Sequence, residues 1–87
     1  MNRIGKNYII FTVKDELTGV FHQPIFIETE EEATRWFKYV LNNTEMWKYN
    51  AAMYSLYKLG TFNDKEGLSD NNIAEMICGG VSVLDKE

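Results

Sequence analysis

His22 and Cys78 are the only histidine and the only cysteine in the chain. A nucleophile–base pair would have to use these two, or His22 with a serine, and no motif or spacing joins them. His22 reads as an exposed strand or turn residue. Zinc needs several thiolate or imidazole ligands, which the chain cannot supply. Glu30-Glu31-Glu32 could be taken for a metal or acid/base cluster, but it falls in the first turn of a predicted helix, where the helix dipole already favours negative charge. Gly79-Gly80 lacks the Lys and Ser/Thr of a phosphate loop, and Asp64-Lys-Glu-Gly67 lacks the alternating carboxylates of a calcium loop. The residues therefore predict neither an enzyme nor a cofactor or metal site.

One constellation can do a different chemistry. Aromatic residues interleave with bases: Tyr8 near Lys6, Tyr39 near Lys38 and Arg35, Tyr49 near Lys48, Tyr54 and Tyr57 near Lys58. Single-stranded nucleic acid is held by bases stacking on aromatic rings while Lys and Arg meet the phosphates. The candidate nucleic-acid-binding set is Arg3, Lys6, Arg35, Lys38, Tyr57 and Lys58. The competing reading makes the tyrosines half-buried core residues with their hydroxyls in water. Helix positions Arg35, Lys38 and Asn42 are expected to face solvent.

Those residues must be positioned by a small set of elements. Tyr8 to Val13 is β-branched and aromatic, apolar on both faces, and reads as a central strand. Lys14 to Gly19 is a polar reversal. Val20-Phe21 and Ile25 to Ile27 form a returning strand that Pro24, which has no N–H to donate, should leave irregular or at an edge. Thr29 with Glu32 makes a capping box, and Ala33, Trp36, Phe37, Val40 and Leu41 give one apolar stripe. A helix over about 30–42 follows, stopped at Asn42-Asn43.

Thr44 to Ala52 reads as a connector with a helical turn. Met53 to Phe62 is the next strand, with Tyr54, Leu56 and Lys58 on one face and Met53, Ser55, Tyr57 and Leu59 on the other. Gly60 admits a bulge, Asn63 to Gly67 is a turn, and Leu68 restarts a short strand. Residues 69–78 fit either a short helix, capped by Ser69 or Asp70 and ended by Gly79-Gly80, or an edge strand from Ile73. The helix is the preferred expectation, with Val81 to Leu84 extended.

The sum is an α+β domain: a small antiparallel sheet of three to four strands with the helix packed on one face. Eighty-seven residues suffice for one domain, 1–87. A core of this size makes a homodimer plausible, with exposed aromatics as its interface. A lone cysteine excludes an internal disulfide and suits a reducing cytoplasm. The apolar run at Tyr8 is far too short to span a membrane.

The net charge of −4 disfavours a non-specific nucleic-acid binder. Its distribution is uneven, however. Residues 1–14 and 33–60 are basic blocks separated by the acidic stretch 15–32. One continuous groove joining the two blocks would favour DNA as partner. Separation by the acidic helix start would favour a protein.

The order of elements and several residues resemble the small non-structural protein of gokushovirus-type microviruses, icosahedral single-stranded DNA phages. The resemblance lies in Pro24-Ile-Phe26, in Ala33 with Trp36-Phe37 and Val40, and in the tyrosine-rich run from Tyr54 through Gly60 and Phe62 to Gly67. It covers roughly residues 7–68. It implies a DNA-binding phage protein in the cytoplasm of the bacterial host, acting in single-stranded DNA replication or genome packaging. The alternative is an adaptor that docks a phage replication or procapsid protein, or that inhibits a host factor.

Overall fold

The computed structural model describes residues 5–69 and 72–85. Arg3 and the alternative helix cap Asp70 lie outside them. Strand β1 (Asn7–Asp15) is central and pairs antiparallel with β4 (Tyr54–Asn63) over its whole length. The other side of β1 is shared by β2 (Val20–Phe21) and β3 (Ile25–Ile27). The far side of β4 is shared by β5 (Gly67–Leu68) and β6 (Glu75–Gly79). The six strands of this antiparallel sheet thus lie in four lanes, each outer lane broken in two.

The break between β2 and β3 is the one Pro24 predicts. Within it, the buried Thr12 hydroxyl donates to the His22 carbonyl at 2.6 Å, which ties the interruption to the central strand. His22 itself is exposed, its ring 5.0 Å from that of Trp47.

Helix α1 (Glu30–Asn43) lies across one face of the sheet. The Thr29 hydroxyl accepts from the Glu32 backbone N–H and donates to the Glu32 carboxylate, both at 3.1 Å. Two groups that would otherwise compete for water at the helix start are satisfied together. Thr29→Ala is expected to remove about 1 kcal/mol of stability. Thermal unfolding should report that as a fall of roughly 4–8 °C for a domain of this size.

Ala33, Phe37 and Leu41 of α1 are fully buried against Phe11, Val13 and Leu56, with Trp36 packed at the margin. Each large apolar side chain so enclosed contributes roughly 1.5–3 kcal/mol. The connector forms a short helix α2 (Glu45–Tyr49) and a 3-10 turn (Ala51–Met53).

The C-terminal part differs from expectation. Glu75–Gly79 is a strand, because Leu56 and Ser55 on β4 offer it an unfilled edge: Cys78 pairs with Leu56 and Gly79 with Ser55. Val81–Val83, expected to be extended, belong to a short helix α3 (Gly80–Val83). Long-range pairing outweighs the local helix signals of the segment before Gly79. Asn42, expected to be free, secures this end. Its amide donates to the Val83 carbonyl at 3.0 Å and accepts from the Asp85 N–H at 2.8 Å. Helix α1 accordingly runs on through Asn42 and Asn43, and Thr44 terminates it.

Candidate functional site on the open sheet face

Side chains alternate along β1, and the core takes Ile9, Phe11 and Val13. Tyr8, Ile10, Thr12 and Lys14 therefore point to the opposite face, away from α1. Register carries the same assignment to the neighbours. Phe26 lies opposite Ile10, Phe21 opposite Lys14, Phe62 opposite Tyr8, and Tyr57 opposite Thr12. Five aromatic rings from four strands thus share one face.

A bulge makes this possible. The β1–β4 register shifts between Ile10 and Phe11, which face Gly60 and Lys58, so Leu59 is the extra residue on β4. Tyr57 and Phe62 are an odd number of positions apart and would point to opposite faces of a regular strand. The inserted residue reverses the alternation and brings both onto the open face. Gly60 follows the bulge, and a side chain there would collide with Asn72.

The rings form two groups. At one end Phe26 meets Phe62 edge-on with centroids 5.5 Å apart, Tyr8 lies 6.4 Å from Phe62, and the Lys6 ammonium sits 5.5 Å from the Tyr8 ring. At the other, Phe21 meets Tyr57 edge-on at 5.5 Å, with the Lys14 ammonium 5.2 Å from both rings. Phe26 is 54% exposed and Phe21 39%. Ile10 and Thr12, between the two groups, are buried.

Carboxylates occupy both lysines. Lys6 pairs with Glu28 at 2.5 Å, and the hydrogen bond and charge of Glu28 raise its pKa. Lys14 lies 3.6 Å from Glu16, which also accepts from the Tyr57 hydroxyl at 3.2 Å. The Lys6–Glu28 pair is exposed and the Lys14–Glu16 pair half-buried, and surface pairs of this kind are weak.

The six residues picked out in the sequence are divided by this geometry. Lys6 and Tyr57 lie on the open face. Arg3 lies outside the described residues. Lys58 faces the α1 side of the sheet, opposite Phe11 and Glu75. Arg35 and Lys38 lie on exposed helix positions in the other layer, with Lys38 3.9 Å from Asp85. Tyr54 is buried, stacked on Trp47 at 4.9 Å. Three of the five described members therefore take no part in the open face, and among the described residues the two basic blocks are divided by the sheet rather than joined in one groove.

Phe21, Phe26, Phe62 and Lys14 are the members that the interleaving pattern missed, and Tyr8 entered only as a neighbour of Lys6. Alternation along β1 alone assigns Lys6, Tyr8 and Lys14 to one face. Phe62 was hidden by the bulge.

Cys78 is half-buried, and burial together with the nearby Glu30 charge pushes its thiol pKa up, so the thiolate form is disfavoured. Among the described residues, no three His, Cys, Asp or Glu side chains are grouped to hold a metal ion. No helix among them is long and apolar enough to cross a membrane.

In comparison with known proteins, the family model described as Phage ORF5 protein matches residues 8–83. No curated protein and no solved structure matches the chain.

Proposed function

The chain belongs to the Phage ORF5 protein family, and from that premise we propose that it is a phage accessory protein that binds single-stranded DNA through its open sheet face. The family membership supports a phage protein; DNA as the partner is our reading of the face. The observation that carries it is the set Tyr8, Phe21, Phe26, Tyr57 and Phe62 with a lysine at each end. Rings on an open sheet can stack unpaired bases, which duplex DNA keeps inside its own stack. Lys6 and Lys14 would leave Glu28 and Glu16 for phosphate. In a single-stranded DNA phage of the gokushovirus kind, such a protein would act where newly made single strands are sequestered for replication or packaging.

Few phosphate contacts mean a shallow salt dependence. A single strand releases about 0.7 counterion per phosphate neutralised, so two lysines give a slope near −1.4 in a plot of log affinity against log salt. Lys6→Gln or Lys14→Gln should each lower that slope by about 0.7, measured by fluorescence anisotropy with a labelled oligo-dT. Absence of binding to any oligonucleotide at low salt would sink the proposal.

A second reading has its own support. Both lysines are already neutralised, and the described bases of the second block lie on the other side of the sheet, so the face presents a nearly uncharged apolar surface. A phage replication or procapsid protein, a host factor, or a second copy of the chain would suit such a surface. Co-purification with a viral or host protein, together with indifference to DNA, would favour an adaptor.

A further inference from the structure

We infer that the open face engages a strand at two separate stations, so that tight binding requires an oligonucleotide long enough to bridge them. The inference rests on the single-stranded DNA reading and assigns that site a footprint and a pattern of base contacts. One station is Tyr8, Phe26 and Phe62 with Lys6; the other is Phe21 and Tyr57 with Lys14. On the central strand Ile10 and Thr12 are buried, Ile10 beside Phe26 of the first station and Thr12 beside Tyr57 of the second.

Tyr8 and Lys14 are separated along β1 by roughly 20 Å, at about 3.3 Å per residue. A stacked strand carries a phosphate every ~3.4 Å, so spanning both stations from end to end takes about six nucleotides, and fewer where the strand is extended. That footprint lies within the range of roughly 4–16 nucleotides that a small single-strand-binding fold covers.

Each station offers one lysine and one ring group, enough for a weak contact by itself. Once a strand occupies one, the other binds it intramolecularly, and linkage of this kind raises affinity by about 10²-fold or more. The stations are held apart by the fold. The Thr12–His22 hydrogen bond at 2.6 Å fixes the break between the strands that carry Phe21 and Phe26.

The experiment is a length series, dT2 to dT12, titrated by calorimetry against the wild-type protein. Affinity is expected to rise little up to dT3, to climb about 100-fold by dT8, and then to level off. An eight-nucleotide strand whose central bases are replaced by abasic spacers should bind within about threefold of dT8, because the ring contacts fall in two groups, Phe26–Phe62 and Phe21–Tyr57, rather than in one continuous row. Phe26→Leu, which keeps apolar cover over Ile10, should flatten the step. A smooth rise with length, or a penalty for central spacers as large as for terminal ones, would overturn the two-station arrangement while leaving DNA binding intact. Failure of every oligonucleotide to bind would overturn both.

Discussion

Replacing Phe21 and Phe26 together by leucine is expected to weaken binding of a twelve-nucleotide single strand by about 10- to 100-fold, while reversing Arg35 and Lys38 to glutamate leaves it within about twofold. The first figure follows from the worth of base–aromatic stacking, roughly 1–3 kcal/mol per base when a ring is removed. Leucine retains much of the apolar contact, so each substitution removes only about 0.7–1.4 kcal/mol, and the two together about 1.4–2.7 kcal/mol. The second follows from placement: Arg35 and Lys38 project from α1, in the layer opposite the rings. Only long-range attraction would be lost, and ions screen it beyond about 8–10 Å.

Leucine is chosen for what it preserves. Phe26 covers Ile10, which is only 8% exposed, and a truncation to alanine would unroof it. Phe→Leu removes the π face and leaves apolar volume, so it separates two occupants of the same surface. A stacked base needs the ring, whereas a protein partner packed by burial tolerates a hydrophobic swap with little loss. Strong loss of DNA affinity with intact thermal stability supports the stacking face. Unchanged DNA affinity in the leucine variant would remove the face from DNA binding altogether. A dimer formed through the same surface would behave as the protein partner does, and would compete with DNA as protein concentration rises.

The sequence made the scaffold legible because its signals were local. Thr29, Glu32 and the stripe Ala33, Trp36, Phe37, Val40 and Leu41 specify a helix without reference to anything else. Pro24 breaks the returning strand because a missing N–H cannot be supplied from elsewhere.

The functional face was less legible because it depends on register. Whether Tyr57 or Tyr54 faces outward depends on which side of β4 the helix covers, and that is a tertiary fact. The helix covers the side of Tyr54 and Leu56, leaving Tyr57 open. Phe62 joins Tyr57 only because Leu59 is bulged, a one-residue insertion that reverses the alternation beyond it. The pairing of bases with tyrosines by proximity in sequence gathered Arg35, Lys38 and Lys58, which the layers then separated. The strand at Glu75–Gly79 was obscured for a related reason, since its stability comes from partners about twenty residues earlier in the chain.

The adjacent glycines Gly79 and Gly80 are expected to respond oppositely to alanine, with Gly80→Ala lowering the melting temperature by roughly 10–20 °C and Gly79→Ala leaving it within a few degrees. Gly80 is buried where the chain leaves β6, and a Cβ there would fall on the Ala51 carbonyl oxygen, with the Tyr54 carbonyl close behind. These are backbone atoms and cannot rotate away as a side chain could. The Ala51 oxygen also accepts the Tyr54 N–H that closes the 3-10 turn. Displacing it disturbs Tyr54, whose buried ring stacks on Trp47 at 4.9 Å. Overpacking of this kind costs about 1–3 kcal/mol, and the disturbed turn places Gly80→Ala at the upper end.

At Gly79 the backbone is extended, and the nearest atom to an added methyl is the end of the Met76 side chain at 3.7 Å, an ordinary contact. Alanine there restricts the unfolded chain without a clash, a change that can be neutral or slightly stabilising. Parallel thermal melts of the two variants decide the matter. Equal effects would mean that α3 does not dock against the 3-10 turn as described, and that the C-terminal segment contributes little to the core.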